Sequence, residues 1–245
     1  TLEGVSRDRY VLSSKWNHTE WKSARGTGKP DGPIWEDPEK VAEGVEERLQ
    51  RLQTNHLDIF HIHGVMPEQS AVVADRFGPV ITRLKEQGKI RFLSLSERFI
   101  SDPKHEGCIA GMKRNPELWD IIMLKYGILN QWAAREALPR AQETGAGVMN
   151  MAAVRIKLPD PAKLETLIAE WKERELVGRD SVPDKNPLDW LIHDDVTSVV
   201  DAAYKFGADH PAIATLLTGT INIEHLKQNI AAMEQPRLPE DDHEK

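Results

Sequence analysis

Cysteine is almost missing from this 245-residue chain. Cys108 stands alone, so no intrachain disulfide can close and no cysteine-rich metal cluster can form. Tyrosine is nearly as scarce, with Tyr10, Tyr126 and Tyr204 making up the whole supply of phenols. No apolar run approaches the ~18 residues of a membrane span, and no leader-like stretch precedes the first strand pattern, so the expected location is cytoplasmic with no membrane partner. An excess of basic residues is lacking as well. Thirty-two Lys and Arg stand against 39 Asp and Glu, for a net charge of −7. That balance excludes the broad phosphate-binding surface a nucleic-acid partner needs, while leaving room for a nucleotide held by a few local groups. Finally, no GxGxxG or GxxxxGK[ST] turn follows any strand pattern, which removes the Rossmann and P-loop signatures.

What is present is the composition of a globular protein, 40% hydrophobic and 29% charged. Short apolar runs alternate with longer helical patterns. Six strands are expected, at residues 10–14 (YVLSS), 57–63 (LDIFHIH), 90–96 (IRFLSLS), 121–124 (IIML), 147–151 (GVMNM) and 214–217. Between them lie helical patterns at about 37–52, 77–87, 135–144, 164–174, 198–206 and 223–233, with a short one reaching residue 112. Asp37 and Pro38 open the first, and Gly88 and Gly145 close the second and the fourth. Strands separated by helices imply βαβ units and a parallel sheet.

Four segments, in order, carry a resemblance. RDRYVLSSK ends at Lys15, VEERLQRLQTNHLDIFHIHG ends just past His63, LKEQGKIRFLSLSERF contains Ser96 and Glu97, and LLTGTINIEHLKQNIAAM contains Gly219 through Asn229. Together they resemble the aldo-keto reductases across nearly the whole chain. The resemblance implies a (β/α)8 barrel, of which a complete copy needs about 250 residues, with the first two βα units missing from this chain and six parallel strands remaining. It also implies reduction of an aldehyde or ketone with NADPH or NADH, in which hydride passes from nicotinamide to the substrate carbon. In that family a tyrosine donates the proton, a lysine paired with an aspartate lowers the tyrosine's pKa, and a histidine orients the carbonyl. Lys15 matches the lysine and His63 the histidine. Both end strands, where barrel active sites lie.

The family's aspartate and tyrosine have no counterpart here. Tyr10 starts the Lys15 strand at its far end, Tyr126 follows the fourth strand and Tyr204 lies in a helix. Where the family has Ser-Asn to hold the carboxamide, this chain has Ser96 and Glu97. Its glutamine on the next strand corresponds to Met123, and its stacking aromatic to Met151. For the cofactor's adenosine end the resemblance points to Gly219, Thr220, Asn222, Gln228 and Asn229, with phosphate received by free N–H groups at the helix start. Lys227 and His225 are the nearby cations for a 2′-phosphate.

Two other readings stand beside the reductase. The departures fit a cofactor-binding or regulatory protein without turnover. The His61–His63 pair on one strand face also fits a metal-dependent hydrolase, though the later strands end in Ser96, Lys125, Met151 and Gly219, which are poor ligands. No metal is therefore expected. The chain is read as one barrel domain over 1–245, incomplete at its N-terminus, with 236–245 a frayed, charged tail. Open barrel edges predict marginal stability or self-association.

Overall fold

The computed structural model describes residues 4–22, 31–234 and 237–242. Parts of the loop expected at 17–33 and of the tail lie outside the described residues. The described strands are β1 (Ser13–Trp16), β2 (Leu57–His63), β3 (Ile90–Ser96), β4 (Ile121–Leu124), β5 (Gly147–Asn150) and β6 (Ile213–Leu216). They form one sheet in the order β1-β2-β3-β4-β5-β6. The pairs from β1 to β4 are parallel, with Lys15 opposite His61, His61 opposite Ser94, His63 opposite Ser96 and Ser96 opposite Met123. That register lines the chemistry-bearing residues up along adjoining strand ends. The helices are α1 (Lys40–Leu52), α2 (Ser70–Glu86), α3 (Glu106–Arg114), α4 (Ala137–Thr144), α5 (Pro161–Glu173), α6 (Val199–Asp209) and α7 (Ile223–Glu234).

The chain divides into two compact units. Unit 1 comprises Thr1–Leu124 and Arg135–Val148; unit 2 comprises Lys125–Ala134 and Met149–Lys245. In unit 1, β2 is buried from Leu57 to Ile62, which is why LDIFHIH reads as a nearly continuous apolar run. Phe60, Ile62, Phe77, Leu93, Leu95 and Ile122 form the middle of its core. At the N-terminal end of the strands Asp58 is pinned by Arg7 (2.7 Å), Arg91 (2.6 Å) and the Leu12 N–H (2.8 Å). Burial pushes its carboxyl up, but the backbone bond and the two guanidinium groups outweigh that and hold it near 2.

Helix α2 starts seven residues before the expected position and carries Pro79 inside it. Val73 and Ala74 in those added turns are buried, and packing carries the helix back to Ser70. β1 begins three residues later than expected, with Val11 70% exposed outside it. Gly88 and Gly145 both adopt left-handed backbone, φ 70° and 74°, as the expected helix stops require.

In unit 2, α5 is opened by Asp160, which accepts from the Lys163 N–H, followed by Pro161. α6 is opened by Ser198, which accepts from the Asp201 N–H (3.1 Å). Leu158, Leu164, Ile168, Leu191, Ala202 and Ala203 pack together, and Leu238 joins them. The tail therefore departs from its expected fraying over 237–242. Leu238 anchors it in the core, and Asp242 accepts from His193 Nε2 at 2.8 Å. Residues 236 and 243–245 lie outside the described residues.

Candidate active site

In unit 1, β1, β2 and β3 end side by side, each delivering polar side chains to the same end of the sheet. Arg48 on α1 donates to the Lys15 carbonyl (2.8 Å) and fixes the end of β1. The Lys15 ammonium meets the Met123 thioether at 3.0 Å, and burial lowers its pKa. Among the described residues no carboxylate pairs with it. His63 Nδ1 lies 3.1 Å from Lys22 Nζ. Burial, reinforced by the charges of Lys22, Lys15 and Arg98, lowers His63 to about 3. His63 is thus neutral at ordinary pH. An ammonium facing Nδ1 makes that nitrogen the acceptor and leaves the N–H on Nε2, available to a carbonyl oxygen.

Lys22 itself falls to about 8, chiefly through burial and then through Arg98. Arg98 pairs with Asp31. His61, directly opposite Lys15, is fully buried with neither ring nitrogen bonded, and burial lowers it to about 4. Ser94 and Ser96 also place buried hydroxyls without partners among the described residues. An unpaired buried hydroxyl at Ser96 suits the carboxamide contact that the resemblance assigns to it.

Glu97 is placed otherwise than expected. Its carboxylate is wholly buried, 2.6 Å from His105 Nδ1, and the Cys108 thiol lies 3.9 Å from the same oxygen. Beside that carboxylate and Asp102, the fully buried thiol is pushed well above its ordinary pKa. Committed to α3, Glu97 presents no exposed oxygen to a carboxamide. Among the described residues no group of three or more His, Cys, Asp or Glu could hold a metal ion, so the His61–His63 pair gains no further ligands.

Unit 2 holds a cleft of about 1220 Å³ whose walls include Arg155, Tyr204, Lys205, Gly219, Thr220, His225, Gln228 and Asn229. It is roomy enough for a nucleotide, since ligand sites typically enclose roughly 300–1,000 Å³. Asn229 is buried and donates to Thr218 Oγ1 (2.6 Å), which also meets the Tyr204 hydroxyl (2.9 Å). Asn150 anchors the wall by donating to the Tyr126 and Gly207 carbonyls (2.9 and 2.8 Å).

The start of α7 corrects one expectation. Asn222 Oδ1 accepts from the Glu224 and His225 N–H groups (2.9 and 3.4 Å), so these are capped from within and are not free for phosphate. Thr220 Oγ1 in turn accepts from the Asn222 N–H (3.1 Å). Lys227 pairs with Glu224 (2.9 Å), whereas His225 lines the cleft. Arg155 and Lys205 are cations on this wall that motif spacing does not reveal. Lys22 and Arg98 are likewise new in unit 1. The glycine closing HIHG was the visible trace of that arrangement.

Unit 1 thus offers a parallel sheet whose strands end in Lys15 and His63, and unit 2 a separate cleft, within an α/β fold. The aldo/keto reductase family model matches residues 1–245, and the chain belongs to that family. It is 23% identical over 220 residues to the uncharacterized oxidoreductase YqkF of Bacillus subtilis (strain 168), covering 86% of this chain and 66% of that protein. It is 26% identical over 248 residues to the NADH-specific methylglyoxal reductase of Escherichia coli (strain K12), covering 95% and 72%. Among solved structures, the holo form of aldo-keto reductase AKR11C1 from Bacillus halodurans aligns with a TM-score of 0.66 at 22% identity, covering 99% of this chain and 73% of that one. The chain thus spans about two thirds to three quarters of the length of these relatives.

Proposed function

We propose that this chain carries part of the active site of an NAD(P)H-dependent reductase of aldehydes or ketones. The observation that carries this reading is a half-buried Lys15, with no carboxylate partner among the described residues, and a neutral His63 at adjoining strand ends. A bound nicotinamide cofactor supplies the hydride. The Lys15 ammonium supplies positive charge where the carbonyl oxygen becomes negative and gives that oxygen the proton that completes the alcohol, while His63 Nε2–H donates a hydrogen bond to the same oxygen. The Ser96 hydroxyl suits the carboxamide. In unit 2, Thr220, Gln228 and Asn229 line the cleft that suits the adenosine end, where Arg155 and Lys205 bring positive charge and His225 a ring N–H for its phosphates. A 2′-phosphate on this wall would meet His225 before Lys227, which Glu224 already holds.

The test is NADPH or NADH oxidation dependent on an added aldehyde. Loss of that oxidation in Lys15→Met supports the reading. Oxidation that is absent in the native chain, or unchanged in the variant, contradicts it. A second reading, cofactor binding without turnover, draws on Met123 against Lys15 and on the burial of Glu97. It predicts cofactor binding with no carbonyl-dependent oxidation.

A further inference from the structure

Gly64 follows His63 directly and adopts φ +72°, a backbone that side-chain-bearing residues rarely take. Its missing side chain has a definite consequence. A Cβ there would lie 2.9 Å from Lys22 Nζ, 3.1 Å from Arg98 Cγ and 3.2 Å from Arg98 Nε. Two cations from separate segments therefore converge over one glycine, next to the histidine of the proposed reaction. Like charges this close oppose one another, and the cost grows with burial. Among the described residues, Asp31 is the carboxylate at these cations, and it pairs with Arg98. Lys22 faces a neutral imidazole nitrogen, His63 Nδ1. Lys15, a third cation, acts on both Lys22 and His63. In a chain of net charge −7, this concentration of positive charge runs against the whole composition.

We propose that Lys22 and Arg98, converging over Gly64, form a seat for an anionic group on the carbonyl substrate, a carboxylate or a phosphate. The substrate class is thus an oxo acid or a phosphorylated aldehyde rather than a neutral carbonyl. This rests on the reductase reading of the same strand ends. Arg98, held in place by Asp31, offers a planar fork, and Lys22 offers a point charge beside His63. An anion held there stands within reach of the His63 ring, so its carbonyl can meet Nε2–H. Gly64 is required because any Cβ would occupy the space into which the two cations fold.

The test compares matched substrates with and without the charge, using the full chain and NADPH: glyoxylate against acetaldehyde, and glyceraldehyde 3-phosphate against glyceraldehyde. A charge-assisted hydrogen bond is worth about ten- to hundredfold in binding. The native chain should therefore favour the charged member of at least one pair by about tenfold or more in kcat/KM. Lys22→Met and Arg98→Met should each erase that preference through KM, and Lys22→Arg should keep it. The pair showing the preference identifies carboxylate or phosphate. No preference in either pair, or a preference untouched by both variants, overturns the proposal. Calorimetric titration with oxalate and with inorganic phosphate separates the seat from the reaction. If no carbonyl is reduced, the reductase reading fails. Binding of either anion that is lost in Lys22→Met still sustains the seat, and absence of binding by both ends it.

Discussion

The two units treat their polar groups in opposite ways. At the strand ends of unit 1, groups are buried short of partners: His61 bonds through neither nitrogen, the Ser94 and Ser96 hydroxyls stand alone, and Lys15 faces a thioether. Their charged forms are disfavoured, as the depressed pKa values of Lys15, Lys22, His61 and His63 record. In unit 2 the cleft wall is more nearly satisfied, with the Asp201 Oδ1 as its one buried oxygen lacking a partner among the described residues. Asn229 and Tyr204 share Thr218, and Asn222 caps its own helix. Incomplete partnering is the mark of a site that reacts, because an incoming group relieves the deficit. Fuller partnering is the mark of a wall that holds shape.

The comparison breaks most readily at Lys15. Lys15→Met should lower kcat for aldehyde reduction by about 10²–10⁴-fold, the usual worth of such a group, as read by steady-state NADPH oxidation. A loss confined to the KM for cofactor would assign Lys15 to holding instead.

The next effect concerns acid stability. The folded pKa of His61 lies near 4, below its unfolded value of about 6.5. The unfolded chain therefore takes up a proton first as pH falls. Stability is fully present above about pH 6.5 and is lost as pH drops toward 4, by about 3 kcal/mol for this residue. Denaturant titrations across that window should show the slope in the native chain and a flatter one in His61→Gln. Equal slopes would mean that His61 is not held neutral. Asp58 adds a further loss at lower pH, because its folded value near 2 lies below the unfolded one and its stabilisation disappears as pH falls through that range.

A smaller effect is expected in unit 2. Asn229→Ala should weaken cofactor binding about tenfold, through loss of one hydrogen-bonding group and of its support for Thr218, measured by quenching of NADPH fluorescence. The smallest lies at the tail. His193 is raised by Asp194 and then Asp242, so the contact is strongest below the ordinary histidine range and weakens as pH rises through the raised value. Hydrogen exchange at 237–242 should quicken across that rise and quicken at all pH in Asp242→Asn. Uniform protection in that variant would show that Leu238 alone holds the segment.

Much of the fold was legible because burial is written in runs. β2, β3 and β4 match the bounds read from LDIFHIH, IRFLSLS and IIML, since these strands are mostly buried, β3 from Leu93 onward. The start of α2 was not legible, because the burial of Val73 and Ala74 that extends it to Ser70 depends on tertiary packing. At the site, Lys15, His63 and Ser96 could be placed from motif and strand ends. The burial of Glu97 could not be foreseen, because its partner His105 is brought up by the turn just before α3. Lys22 and Arg98 were invisible to spacing. They meet only because Gly64 turns through a left-handed conformation. Asn222 was legible as a helix-start residue, but its side chain spends itself on capping.

The most direct test of the division between a reacting and a holding unit is one set of NADPH-dependent rates for the native chain, Lys15→Met and Asn229→Ala. The account predicts that Lys15→Met lowers kcat and leaves the KM for NADPH in place, while Asn229→Ala raises that KM and leaves kcat in place. Both variants losing kcat and affinity in parallel, or a native chain that oxidises no NADPH with any aldehyde, would contradict it.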